Sequence, residues 1–187
     1  MTVLFKEFNK NKEEEELVAV SETNINSDFW YHSGYYNAGE ILFENWSALY
    51  KNEGDHISID AIVYPIYYCY RHSVEVLTKK ILRTIVGQNC KSNHNIFDLF
   101  LKLIENDIKI PQEVKDFINE LNKIDPSFTR FRYDTKKSGD KNQPLEVDLV
   151  GMVTGFRFVY KFLSNIWDIK YENDNNFNKN HYNRFKK

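Results

Sequence analysis

Apolar residues recur every three or four positions through the middle of the chain, which is the spacing of the buried face of an α-helix. They are Ile62, Val63, Ile66, Tyr67, Tyr70, Val74, Leu77, Ile81 and Ile85. The spacing predicts one long central helix at about residues 57–86. Pro65 lies near its start and predicts a kink or a break into two helices, and Gly87 predicts its C-terminal end.

The same periodicity predicts four further helices around the central one. Their approximate ranges are 38–51, 95–105, 111–124 and 146–171. Asn95 is predicted to cap the second of these, and Pro111 to lie in the first turn of the third. Residues 27–37 are rich in aromatic side chains and are predicted to form a loop that packs its rings onto the domain. The pattern therefore predicts an all-α fold, an up-and-down bundle of four or five helices.

The two ends of the chain are more polar than its centre. Residues 1–26 contain an acidic run and are predicted to form a loosely ordered leader, and residues 172–187 an Asn-rich tail without regular structure. Residues 27–171 are thus predicted to form a single domain. Within it, residues 125–145 contain no helical pattern but several lysines and two arginines, which is typical of a functional or disordered loop.

Composition narrows the class of protein further. The 187 residues suffice for one domain, and a net charge of −2 indicates that any site for a polyanion is local. The two cysteines, Cys69 and Cys90, indicate reduced thiols and not a disulfide framework. The sequence contains no apolar run long enough for a signal peptide or a membrane span, which predicts a cytoplasmic protein with no membrane partner. Cys90 and His94 are at most half of a zinc site, so neither a metal nor a cofactor is predicted.

The polar side of the central helix holds the candidate chemistry. At ~100° per residue, the residues opposite the apolar stripe are Tyr68, His72, Glu75, Lys79 and Arg83. Arg71 falls at the edge of the stripe and is predicted to form an i, i+4 charge ladder with Glu75, Lys79 and Arg83. An arginine, a histidine, a glutamate and a lysine within three turns can hold a phosphate and move a proton. Periodicity alone favours the simpler alternative, a solvated helix face with ordinary ion pairs.

Two other places carry candidate residues. His94 directly precedes a predicted helix, where free backbone N–H groups bind anions; the alternative is a residue of the capping region with no further role. Residues 130–133 (Arg130, Phe131, Arg132 and Tyr133) alternate cations with rings, a pattern that suits single-stranded nucleic acid. It suits equally well an arginine that reaches back to Glu75 and pins the loop to the bundle.

Three short segments, in the order YRHSVEVLTKKIL (70–82), NHNIFDLF (93–100) and DPSFTRFRY (125–133), resemble bacterial helical proteins of the HEPN superfamily. The resemblance implies a dimeric helical bundle. Many members are metal-independent ribonucleases of toxin–antitoxin, abortive-infection or antiviral systems, so the resemblance implies this activity as well. Members of this kind use an arginine and a histidine several residues apart, whereas Arg71 and His72 are adjacent in this sequence.

Cleavage of RNA by such a protein would proceed by attack of the 2′-hydroxyl, with acid–base catalysis by histidine. The implied catalytic residues are Arg71, His72, Glu75 and His94, with Arg132 as a second cation at the phosphorane. The implied substrate-binding residues are Tyr68, Lys79, Arg130, Arg132 and Tyr133, and the partner is RNA or a nucleotide, with a homodimer formed across the 71–83 face. The competing hypothesis is a non-catalytic interaction or regulatory subunit that binds a protein partner through the same polar helix face.

Overall fold

The computed structural model describes the backbone of residues 27–52, 56–90, 92–126, 128–131 and 146–184, together with most of their side chains. Within these ranges every regular element is helical, which confirms the predicted all-α bundle. The helices are α1 (Ser27–Lys51), α2 (His56–Ala61), α3 (Val63–Ile81), α4 (Ile96–Glu105), α5 (Gln112–Ile124) and α6 (Leu149–Arg184). The predicted leader, residues 1–26, lies outside the described residues.

The predicted central helix is present as α2 and α3 with a break between them at Ile62. Pro65 lies in the first turn of α3, where a residue without an N–H group removes no intrahelical hydrogen bond. At its other end α3 continues as a π-helical turn, Leu82–Val86. Gly87 then ends the helix in the left-handed conformation at φ 75°, which a residue without a Cβ adopts readily.

Residues at their N-termini also determine where α4 and α5 begin. The side chain of Asn95 accepts hydrogen bonds from the backbone N–H groups of Phe97 (2.9 Å) and Asp98 (3.4 Å), which confirms it as the cap of α4. Asp98 itself lies in the first turn, where a carboxylate meets the positive end of the helix dipole. Pro111 occupies the cap position of α5, so this helix begins one residue later than predicted.

Two segments predicted as irregular are helical. Residues 27–37 form the first turns of α1 and not a loop, because long-range packing of their rings outweighs the weak helical pattern: Tyr36 stacks on Tyr160 with ring centroids 4.0 Å apart. Helix α6 begins three residues later than predicted and continues to Arg184, past the expected end near residue 171. The sequence beyond that point contains neither glycine nor proline to stop it.

Helix α3 lies at the centre of the bundle and packs against α1, α6 and α4. Its residues Tyr67, Tyr70 and Leu77 are fully buried. Two glycines allow neighbouring helices to approach closely: a Cβ on Gly39 would lie 3.0 Å from the ring of Tyr70, and a Cβ on Gly155 would overlap the ring of Phe117. Among the described helices, none combines the length and apolar character that crossing a lipid bilayer requires.

Candidate active site

Glu75 is the centre of a buried ionic cluster on α3. Its side chain is only 2% exposed, yet it accepts hydrogen bonds from three side chains. Lys79 Nζ lies 2.8 Å from Oε1, and Arg71 Nη1 lies 3.1 Å from Oε2. His94 Nδ1, from the loop before α4, lies 2.9 Å from Oε1. A buried charge is stable only when it is paired and hydrogen-bonded, and the three donors meet this requirement for the carboxylate of Glu75.

Arg71 joins α3 to the loop that carries His94. Besides its ion pair with Glu75, its Nη2 donates to the backbone carbonyl of His94 at 2.9 Å. Its guanidinium carbon lies 4.0 Å from the centroid of the Phe128 ring, within cation–π range. Arg71 is 2% exposed. It therefore contacts the residues that hold His94 in place and does not face solvent.

The prediction of a solvated face opposite the apolar stripe is wrong for Glu75, and Arg71, predicted at the edge of the stripe, does not reach solvent either. Both are buried, because the loop before α4 and the turn around Phe128 cover the side of α3 that lies opposite its apolar stripe. The predicted homodimer is formed across the 71–83 face. A second molecule could contact the buried part of this face only by displacing the loop before α4 and the turn around Phe128. Of the predicted i, i+4 ladder, the pairs of Glu75 with Arg71 and with Lys79 are confirmed.

His94 is the exposed member of the cluster. Its side chain is 60% exposed, against 2% for its partner Glu75. A carboxylate can only accept, so the hydrogen bond at Nδ1 assigns the proton of the neutral imidazole to Nδ1. Nε2 is then left with a free lone pair, which is the arrangement of a general base oriented by a carboxylate. Lys79, whose side chain is 18% exposed, adds a positive charge on the same carboxylate oxygen.

His72 and Tyr68 lie in an aromatic group. The ring of His72 stacks on Tyr68 (5.5 Å between centroids) and on Phe128 (6.3 Å), and Tyr35 meets it edge-on at 4.5 Å. Burial lowers the pKa of His72, with the charge of Glu75 acting in the opposite direction. Its buried Nδ1 has no hydrogen-bond partner among the described residues. Packing with rings, and not proton transfer, is what this environment favours.

The turn from Asp125 to Phe131 is fastened to α3 at two points. The buried Asp125 accepts from the backbone N–H groups of Thr129 (2.8 Å) and Arg130 (3.0 Å), and its other oxygen accepts from the hydroxyl of Tyr67 (3.1 Å). The second point is the ring of Phe128 on Arg71. Arg130 is half-buried in this turn, whereas Arg132 and Tyr133 lie outside the described residues.

Phe128 was not among the predicted site residues. It is 2% exposed and adopts a left-handed backbone conformation with φ 57°, which is rare and strained for a bulky residue. The Asp125-Pro126 pair is a turn signal that the sequence does show. No sequence signal indicates that the turn would place a phenylalanine over a buried arginine.

A second polar cluster, between α1, α3 and α6, was also missed. Arg157 donates two hydrogen bonds to the carboxylate of Glu40 (2.8 and 2.6 Å), and the hydroxyl of Tyr70 donates a third (2.7 Å). The hydrogen bonds from Arg157 lower the pKa of the Glu40 carboxyl, and burial raises the pKa of Tyr70. Glu40 and Arg157 are 117 positions apart, so no spacing pattern connects them.

His32 predicts a pH dependence of folding stability. It is buried with its Nδ1 2.9 Å from the hydroxyl of Tyr160, and burial, together with the charge of Lys80, lowers its pKa to about 4. In the unfolded chain the pKa of this histidine is ~6.5. Between the folded and unfolded pKa values, the unfolded chain therefore binds more protons than the folded protein. The contribution of His32 is therefore fully present above pH ~6.5 and is lost as the pH falls towards the folded pKa, by about 2 kcal/mol at pH 4.5.

Chemical denaturation at several pH values between 7 and 4.5 measures this effect. The free energy of unfolding of a His32→Gln variant should fall less steeply with acid than that of the wild type. Equal slopes for the two proteins would show that His32 is not kept neutral by burial.

Comparison of the chain with protein-family models, with curated proteins and with solved structures returned no match. Across the part of the chain that the structure describes, no three His, Cys, Asp or Glu side chains come together as ligands for a metal ion. The chemistry that the cluster can perform is therefore inferred from its own geometry.

Proposed function

We propose that this protein is a HEPN-like bundle that engages RNA and cleaves it as a metal-independent endoribonuclease, with His94 as the acid–base group. One observation carries the proposal: an imidazole that is 60% exposed is held at 2.9 Å by a glutamate that is 2% exposed. A surface histidine without a role has no need of a buried carboxylate, whereas a general base gains both orientation and a fixed tautomer from it.

The proposed reaction is a transesterification within the RNA backbone. His94 Nε2 takes the proton of a 2′-hydroxyl, whose oxygen attacks the adjacent phosphorus. The new bond joins the 2′-oxygen to phosphorus, the bond from phosphorus to the 5′-oxygen breaks, and the departing oxygen takes up a proton from solvent. The products are a 2′,3′-cyclic phosphate and a 5′-hydroxyl end. Lys79 supplies a cation beside the imidazole, where negative charge develops on the phosphorane.

Arg71 and Glu75 act on His94 without touching the substrate. Glu75 holds the imidazole, and Arg71 holds both Glu75 and the backbone carbonyl of His94. These two residues are therefore positioning residues. This assignment replaces the catalytic role that was predicted for both Arg71 and Glu75.

The second candidate function is a non-catalytic interaction or regulatory subunit. It is favoured by the completeness of the cluster, because Glu75 already has three donors and Arg71 two hydrogen-bond acceptors and a ring. In that case the network serves to fix the loop before α4 as part of a surface for a partner protein.

Cleavage of a labelled single-stranded RNA of mixed sequence, in the presence of a metal chelator, tests the proposal. His94→Gln should lose at least about a hundredfold in rate, the lower end of what an acid–base group contributes. His72→Phe, which keeps a ring in the aromatic group, serves as the matched control and should retain activity. The cleaved RNA should end in a cyclic phosphate, and a single 2′-deoxy substitution at the cleaved position should prevent the reaction.

Two outcomes would contradict the proposal. Equal cleavage by the wild type and His94→Gln would assign the activity to another group or to a contaminant. The absence of both cleavage and salt-sensitive RNA binding in the wild type would favour the non-catalytic subunit, because contacts to phosphates weaken steeply with ionic strength.

A further inference from the structure

A cleft of about 350 Å³ opens between α5 and the start of α6. None of the residues that line it belongs to the cluster around Glu75. Its apolar lining includes Phe117, Leu121, Ile124 and Met152. Phe117 is fixed there by its contact with Gly155, which leaves no room for a side chain at that position of α6. The cleft is therefore a built concavity with an apolar floor.

Three carboxylates line the same cleft, from Glu120, Glu146 and Asp148, and all three residues are exposed. Asp148 also accepts a hydrogen bond from the backbone N–H of Gly151 at 2.9 Å and so caps α6. No lysine, arginine or histidine is among the described residues that line the cleft. Its chemistry thus suits an occupant that combines apolar groups with several positive charges.

The chain itself contains a segment of this composition. Between residues 175 and 187 it carries the cations Lys179, Arg184, Lys186 and Lys187, together with the rings of Phe177, Tyr182 and Phe185. The same stretch contains no aspartate or glutamate. Its charge is therefore complementary to that of the cleft.

A chain cannot place this segment in its own cleft. The cleft lies beside the start of α6, which is continuous from Leu149 to Arg184. At a rise of ~1.5 Å per residue, position 177 lies roughly 39 Å along the helix axis from Gly151. The segment can reach such a cleft only on another molecule.

We propose that the cleft between α5 and α6 binds the basic segment 175–187 of a second copy, in a two-fold dimer whose α6 helices run antiparallel. This arrangement fills both clefts at once and closes the assembly. It also covers three apolar side chains that α6 leaves exposed, Val150 (53%), Phe158 (46%) and Ile169 (63%). The interface does not depend on the proposed ribonuclease activity.

Sedimentation of the full chain over a range of concentrations tests the dimer through two charge reversals. One variant carries Lys179→Glu, Lys186→Glu and Lys187→Glu, and the other carries Glu120→Lys and Glu146→Lys, with Asp148 retained because it caps α6. Each reversal should weaken dimerisation by about tenfold or more, because two or three attractive pairs become repulsive on each side. Circular dichroism and thermal unfolding check that the variants are folded.

Mixing the two variants provides the decisive comparison. In a mixed dimer each reversed segment faces a reversed cleft and each original segment an original cleft, so the mixture should recover the affinity of the wild type. The proposal is overturned by a wild type that is monomeric at all concentrations. It is equally overturned by a segment reversal that dimerises as well as the wild type, or by two folded variants that do not associate when mixed.

Discussion

Replacing Glu75 by alanine should lower the free energy of unfolding by about 3–5 kcal/mol, one of the two largest effects expected of a single substitution in this protein. The physical reason is the guanidinium of Arg71, which is 2% exposed and would lose its only carboxylate partner among the described residues while remaining buried. The carbonyl of His94 alone does not compensate a buried charge. For a chain of this length the loss corresponds to a fall in Tm of roughly 6–20 °C.

Two controls separate this effect from the general cost of removing a glutamate. Glu44→Ala, at an exposed position of α1, should change the free energy of unfolding by no more than about 0.5 kcal/mol. The double variant Arg71→Met/Glu75→Leu should recover much of the lost stability, because apolar side chains of similar size replace a buried ion pair at little cost. A loss below about 1 kcal/mol in Glu75→Ala would show that the pair is not buried as described.

Replacing Phe128 by alanine is the second large effect, with an expected loss of about 3–5 kcal/mol. The ring is 2% exposed and contacts Arg71, with its centroid 4.0 Å from the guanidinium carbon, and it stacks on Tyr68 at 5.4 Å. Its removal leaves a cavity at the point where the 125–131 turn meets α3. The left-handed backbone at this position remains strained with alanine, so no strain is relieved in compensation.

Phe158→Ala, measured at protein concentrations low enough to keep the chain monomeric, is the matched control, because Phe158 is 46% exposed on α6. Removing the same ring from this position should cost at most about 1 kcal/mol. Chemical denaturation of the two variants measures the difference. Equal losses would mean that the 125–131 turn is not packed against α3.

The elements that the sequence predicted correctly are those determined by local chemistry. The stripe of α3, the end at Gly87 and the cap at Asn95 each depend on residues a few positions apart. The start of α1 was missed because its helix is stabilised by rings that meet α6, more than a hundred residues away. Helical periodicity contains no information about such partners.

The sequence predicted the charged residues of the candidate site but not how they are arranged. Arg71, Glu75, Lys79 and His94 were all singled out, and the structure brings these four together. Periodicity identified the apolar side of α3 correctly, but it could not show that a loop and a turn cover the opposite side. Nor could it separate His72, which packs among rings, from His94, which reaches the carboxylate.

If Glu75 holds His94 as an exposed base, the proton of the neutral imidazole lies on Nδ1, and the tautomer of His94 can be measured. Nitrogen chemical shifts of the neutral His94 imidazole in labelled protein report which ring nitrogen carries the proton. The hydrogen bond to Glu75 predicts a protonated Nδ1 and a free lone pair on Nε2 in the wild type, with loss of this preference in Arg71→Met/Glu75→Leu, which has no acceptor at position 75. A proton on Nε2 in the wild type, unchanged by Arg71→Met/Glu75→Leu, would mean that Glu75 does not orient His94.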